Sequence, residues 1–329
     1  MEAVTTAPKP LVHLHAPKGL SSTNALTEAA KAFARAAKAD RTLKAYAADW
    51  RTFTAWCGVH SYSGLPAAPT TVALYLTARA TEGRKVSTIA RALAAISQVH
   101  RATGHPSPRS DAAVQQVFNG IKRTLGTAPR QRAPLLPAQL LEVFAALPSS
   151  LIGARDRAML AIGFAGAFRR SELVTLNVSD VIFTAEGAEI VIRRSKTDQE
   201  GAGRKVGIPF GAHPESCPVR SLKVWLGQGR VESGPLFREV TRHGRVSTTP
   251  LCGRSIAKII KRRVEQAGMD PEKFSGHSLR AGLVTAAAKS RKTVESIMRQ
   301  TGHRSVAMVH MYIRDAQLFD DNAASGIGL

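Results

Sequence analysis

One stretch divides the chain. Residues 127–139, TAPRQRAPLLPAQ, hold three prolines and two arginines and show no apolar period. Proline fixes φ and withholds an amide, so neither a helix nor a central strand runs through such a segment. The 329 residues are enough for two domains of ordinary size. The reading is an all-α domain over 25–126, a linker over 127–136 and a second domain over 137–329. Residues 1–24 contain no apolar run of signal-peptide length and read as a flexible arm.

The first domain is helical by period. ALTEAAKAFARAAKA is Ala-rich and amphipathic. In RTLKAYAADWRTFTAWCGVH, the residues Leu43, Tyr46, Trp50, Phe53 and Cys57 recur at steps of three and four, one apolar stripe. PTTVALYLTARA follows a Pro-rich turn. VSTIARALAAISQVHRATG has Ser87 or Thr88 as its expected N-cap and Gly104 as its stop, and SDAAVQQVFNGIKRTLG opens on Ser110 and Asp111.

The second domain starts as helix, in PAQLLEVFAALP and RDRAMLAIGFAGAF. It then changes period: SDVIFTAEGAEIVIRRSKTDQEGAGRKVGIPF alternates apolar and polar residues, and turns at Gly187 and KTDQEGAG divide it into three strands. Helices return in PVRSLKVWLGQG, GRSIAKIIKRRVEQAG, SLRAGLVTAAAKS and TVESIMRQTG. The expected class is mainly α with a small β-sheet, an α+β arrangement in the second domain.

The net charge of +22, from 46 Lys+Arg against 24 Asp+Glu, exceeds what solubility requires and points to a polyanionic partner, nucleic acid first. An anionic membrane surface is the weaker alternative, because the sequence has no long apolar span and no lipidation motif. Cys57, Cys217 and Cys252 are odd in number and lack metal-site spacing, so they read as reduced, structural and intracellular. The histidines form no HExxH or HxH pattern, so no metal or other cofactor is expected.

Several residues invite chemistry. In FRRSEL, Arg169 stands just before a helix, where its charge is unfavourable unless an anion binds, and Glu172 is placed to orient it. Lys196 follows a strand into a Gly-rich turn, within reach of a ligand. His277 and Arg280 in SGHSLRAG share one helical face, a cationic pair that calls for something negative between them. His303 lies in a turn, and Tyr312 follows nine residues later on a helix. Each has a plainer reading when taken alone: a snorkelling arginine, a solvated lysine, an exposed helix start, a tyrosine at the edge of a core. Together, arginines, a lysine and histidines with no acidic pair suit a phosphodiester. Arginines grip its non-bridging oxygens and stabilise a pentacovalent phosphorus, and tyrosine serves as a covalent nucleophile. Lys196 would protonate the leaving oxygen.

In this order, Arg169, Lys196, His277, Arg280, His303 and Tyr312 resemble the tyrosine recombinase, or phage integrase, family. GHSLRAG and TGHRSVAMVHMYIR match closely; where the family has a GLRxSEL-like run, Ala167 replaces the glycine. The resemblance covers nearly all of the chain after the arm and looks nearest to the Cre branch. It implies two domains that clamp double-stranded DNA at a short inverted-repeat site. It also implies four protomers joining two sites, a 3′-phosphotyrosine, and strand exchange through a four-way junction. Neither metal nor ATP is implied. Segment 315–329, with Leu318 and Phe319, would dock onto a neighbouring protomer. Lys44 and Arg91 in the first domain and Arg254 and Lys258 in the second would contact DNA, Arg254 either at guanine O6 and N7 in the major groove or at phosphate alone. The short arm leaves no room for a further arm-binding domain. The expected setting is the bacterial cytoplasm, at the nucleoid, with a phage or plasmid gene equally suited. A DNA-binding protein that keeps only the fold, a topoisomerase and a telomere resolvase are the rival readings.

Overall fold

The computed structural model describes residues 23–316 except 38, 129–131, 194, 196–197 and 199–201. The arm, up to residue 22, and the docking segment from residue 317 lie outside the described residues, as does Lys196. The chain divides into two compact units, Met1–Pro129 and Arg130–Leu329, and each is described by itself.

Unit 1 is helical: α1 (Thr23–Ala36), α2 (Asp40–Val59), α3 (Pro69–Thr81), α4 (Val86–Ala102) and α5 (Ala112–Leu125). The α2 stripe faces inward, with Phe53 and Cys57 fully buried among Val72, Leu76, Ile89 and Ile96 and with Trp50 packed at the edge. Asp111 caps α5, its carboxylate accepting from the amides of Ala113 at 2.9 Å and Val114 at 3.4 Å. The expected cap of α4 is corrected. The helix starts at Val86 after an extended Lys85, and Ser87 and Thr88 lie inside its first turn. Gly83, at φ +74°, has already reversed the chain, and the Lys85 carbonyl accepts from Thr88 and Ile89.

Unit 2 opens with α6 (Pro137–Ala145), α7 (Leu151–Ala165) and α8 (Arg170–Thr175), followed by β1 (Val181–Phe183), β2 (Gly187–Ile192) and β3 (Arg204–Pro209). The three strands form one antiparallel sheet in the order β1-β2-β3, with Ile190 opposite both Val181 and Val206. The alternation read from the sequence places Ala188, Ile190, Ile192, Val206 and Ile208 in the core. Next come α9 (Pro218–Gly229), β4 (Arg238–Val240), β5 (Val246–Pro250), α10 (Gly253–Gln266), α11 (Ser278–Lys289), α12 (Val294–Thr301) and α13 (Val306–Ala316). The β4–β5 hairpin is an addition to the sequence reading. Its residues are mostly exposed, so no buried alternation announces it.

Helix α7 runs through the centre of this unit, with Ala158 to Ile162 all buried. Beside them lies Asp156, fully buried, 2.6 Å from guanidinium nitrogens of both Arg155 and Arg263. This carboxylate ties α7 to α10. Residues 132–136, read as linker, are laid along unit 2. Leu135 is fully buried in the core and donates its amide to the Ser278 carbonyl, and Ala133 donates to Lys273. A Cβ on Gly282 of α11 would stand 2.0 Å from the Leu135 carbonyl oxygen, so the close approach there requires glycine.

Candidate active site

The site forms where the ends of several elements of unit 2 converge. Arg169 immediately precedes α8, and its backbone amide donates to Glu172 Oε2 at 2.9 Å while its Nη1 donates to Oε1 at 2.7 Å. The anion that makes a cation acceptable at this helix start is therefore internal, the buried Glu172 carboxylate. Arg169 Nη2 also reaches the Gly302 carbonyl at 3.5 Å.

Arg280, on the first turn of α11, is buried. Its Nη1 donates to the carbonyls of Ala167 at 2.8 Å and Thr301 at 2.6 Å, while Nη2, also buried, has no hydrogen-bond partner among the described residues. Ala167 supplies its carbonyl from a left-handed conformation, φ +46°, the backbone state that favours the glycine it replaces. Burial, then repulsion from Arg169, lowers the Arg280 pKa to about 10, so the guanidinium stays charged at neutral pH.

His277, at the N-cap of α11, places Nε2 3.0 Å from the Tyr312 hydroxyl on α13. Part of the histidine meets solvent. Enclosure of the remainder, then the charges of Arg280 and Arg169, hold its pKa below the ordinary value. His303, in the turn between α12 and α13, stacks near Tyr312 with ring centroids 6.4 Å apart. Burial first, then Arg280 and Arg169, press its pKa down to about 4. Both imidazoles are therefore neutral near pH 7.

Five of the six residues singled out for chemistry, Arg169, His277, Arg280, His303 and Tyr312, are thus brought together, along with Glu172. Lys196 lies outside the described residues, on the connection between β2 and β3. Strand β3 reaches the site, because Arg204, its first residue, donates to Glu172 Oε2 at 3.3 Å and to the Gln300 carbonyl at 3.0 Å. Arg204 was not among the residues read from the sequence. Its neighbour Lys205 is equally basic but exposed and paired with Glu189, so no local pattern separates the two. Gly302, left-handed at φ +65°, lets the turn pass over Arg204; a Cβ there would stand 2.7 Å from the Arg204 Nε.

Of the four residues expected to contact DNA, Lys44 on α2 and Arg254 and Lys258 on α10 are exposed. The last two are four residues apart on one helical face. Arg91 is held by Asp49 in a two-point ion pair, at 2.7 and 3.1 Å. Among the described residues, no three His, Cys, Asp or Glu side chains group as metal ligands, and no helix is long and apolar enough to cross a membrane.

The profile of the phage integrase family matches residues 134–318. A Selenomonas ruminantium protein described as an integrase/recombinase XerD homolog is 43% identical over 291 residues, 87% of this chain and 85% of that one. The chain belongs to the phage integrase family. Another member, the tyrosine recombinase XerD of Xanthomonas campestris, is 27% identical over 198 residues, covering 56% of each chain. Among solved structures, a lambda integrase dimer bound to a core site is similar, with a TM-score of 0.59 and 19% identity over 88% of this chain and 94% of that one. An XerH recombinase bound to a palindromic substrate has a TM-score of 0.53 and 20% identity, over 77% and 69%. The integrase fold, mainly helical with small antiparallel sheets, is the one the sequence reading expects.

Proposed function

We propose that this tyrosine recombinase cuts and rejoins double-stranded DNA at a short inverted-repeat site through Tyr312. The observation that carries the reading is the 3.0 Å contact between the Tyr312 hydroxyl and the neutral His277, beside two convergent arginines. Arg169 and Arg280 hold the non-bridging oxygens of the scissile phosphate and stabilise the added charge of the transition state. The phenol gives its proton to His277 Nε2 and its oxygen bonds to phosphorus. The bond from phosphorus to the 5′ oxygen breaks, and Lys196 protonates that oxygen. The 3′-phosphotyrosine keeps the ester linkage, so a 5′ hydroxyl from another strand attacks it and Tyr312 recovers its proton. The sequence of steps consumes no ATP and calls on no metal.

Strand exchange then passes through a four-way junction held by four protomers on two sites, in the simple two-domain arrangement of the Cre branch. Each unit contributes DNA contacts, with Lys44 of unit 1 and Arg254 and Lys258 of unit 2 on phosphates or base edges. Segment 315–329 docks onto a neighbouring copy, and an apolar groove of about 670 Å³ lined by Leu140, Phe144, Phe164, Phe210, Leu283 and Ile297 suits its Leu318 and Phe319. The reaction belongs where bacterial, phage or plasmid DNA lies, in the cytoplasm at the nucleoid.

Covalent trapping tests the reading. The protein is mixed with sheared host DNA and denatured in detergent, and the attached fragments are sequenced. Wild type is expected to yield adducts enriched in one inverted repeat, and Tyr312→Phe to bind DNA equally and yield none. Adducts in the variant would move the nucleophile elsewhere. Tight binding without adducts in either protein, on nicked substrates that block rejoining, would favour a DNA-binding protein that keeps only the fold.

A further inference from the structure

Thr301, the last residue of α12, is fully buried, and its hydroxyl has three polar neighbours. Oγ1 lies 2.7 Å from the Ile297 carbonyl, 3.4 Å from the Met298 carbonyl and 2.9 Å from Nδ1 of His303. A hydroxyl has one proton to give, and carbonyls only accept. If Nδ1 were bare, the single proton would have to serve both the short carbonyl contact and the imidazole. One of the two buried contacts, 2.7 Å at Ile297 or 2.9 Å at Nδ1, would then bring lone pair against lone pair, a repulsive approach with no proton between. If Nδ1 carries the proton, every contact is satisfied: Thr301 donates to Ile297, and His303 donates to Thr301.

We propose that Thr301 is a positioning residue that holds His303 in the Nδ1–H tautomer, leaving Nε2 as its lone-pair nitrogen. This deepens the recombinase reading and rests on it for the role of His303. In the DNA-free protein His303 then has no N–H to offer a phosphate from Nε2. The groups around it are Arg169 and Glu172 at α8, Arg204 on β3, His277 and Arg280 on α11, Tyr312 on α13 and Arg304 on its own turn. The net charge of that set is positive, which keeps the ring neutral. An entering phosphodiester offsets it, and Nε2 takes a proton from solvent water and becomes a donor to the phosphate oxygen. Thr301 also fixes the turn from its other side, since its carbonyl accepts from Arg280.

Nitrogen NMR on protein labelled at histidine tests this in the absence of DNA. The expected wild-type pattern for His303 is a protonated Nδ1 and a bare Nε2. Thr301→Val, which keeps the shape and removes the hydroxyl, is expected to shift the ring towards the other tautomer and to slow cleavage about tenfold, and Thr301→Ser to restore both. A protonated Nε2 with a bare Nδ1 in the wild type overturns the proposal without need of any variant. So does a Thr301→Val protein that loses cleavage while its His303 nitrogens stay as in the wild type, for then Thr301 serves packing alone. An Nδ1–H signal in a wild-type protein that forms no DNA adduct would uphold the tautomer and sink the recombinase reading.

Discussion

At the scale of residues, the site rests on neutral imidazoles among fixed cations. His277 is a proton acceptor only while unprotonated, and its lowered pKa widens the range in which it is so. Single-turnover cleavage is therefore expected to stay level from about pH 8 down to the ordinary histidine value of 6.5 and to fall only in more acid solution. A decline centred above that value would show that another group sets the rate. His277→Gln is expected to lose about 10²–10⁴-fold and, with it, that acid limb. The candidate residues are legible in the sequence because their types and order are themselves the pattern, but a base for Tyr312 is not, since the contact with His277 exists only once α11 and α13 are in place. Nor are the residues beneath them legible. Arg204 meets Glu172 across 32 positions, and Thr301 acts through one hydroxyl whose neighbours are set only once α12 ends at Gly302.

At the scale of elements, periods of three to four and of two placed the helices and the three-stranded sheet. What they did not place depends on partners distant in sequence. The start of α4 is set by the reversal at Gly83 and not by the nearest hydroxyl, and the exposed β4–β5 hairpin has no apolar rhythm to read. Nor does a sequence pattern foretell the burial of Asp156, a carboxylate between two arginines just before the apolar half of α7. Its partner Arg263 lies 107 positions away, on α10. Asp156→Ala would leave the guanidinium groups of Arg155 and Arg263 buried without their anion. The expected cost is about 3–5 kcal/mol, read as a lower urea midpoint for unit 2. A change under about 1 kcal/mol would mean that water or backbone carbonyls satisfy those arginines instead.

At the scale of the whole molecule, a net charge of +22 makes DNA affinity a function of salt. On a plot of log affinity against log salt, Arg254→Ala and Lys258→Ala are each expected to reduce the slope by about one. Arg91→Ala is expected to change it less, because Asp49 already neutralises that guanidinium. Equal effects from all three would mean that phosphate displaces Asp49. The hydrophobic packing adds a different kind of consequence. Val309 of α13 packs with Val284 and Ile297 in a small cluster of its own, with Tyr312 at its edge, separate from the large core around α7. Val306, Met308 and Met311 on the same helix are exposed. With so few fully buried apolar contacts, α13 is expected to lose amide protection in hydrogen exchange before the core around α7 does. If α13 does open first, the time the phenol spends beside His277 would be an occupancy that any contact with the exposed side of that helix would raise.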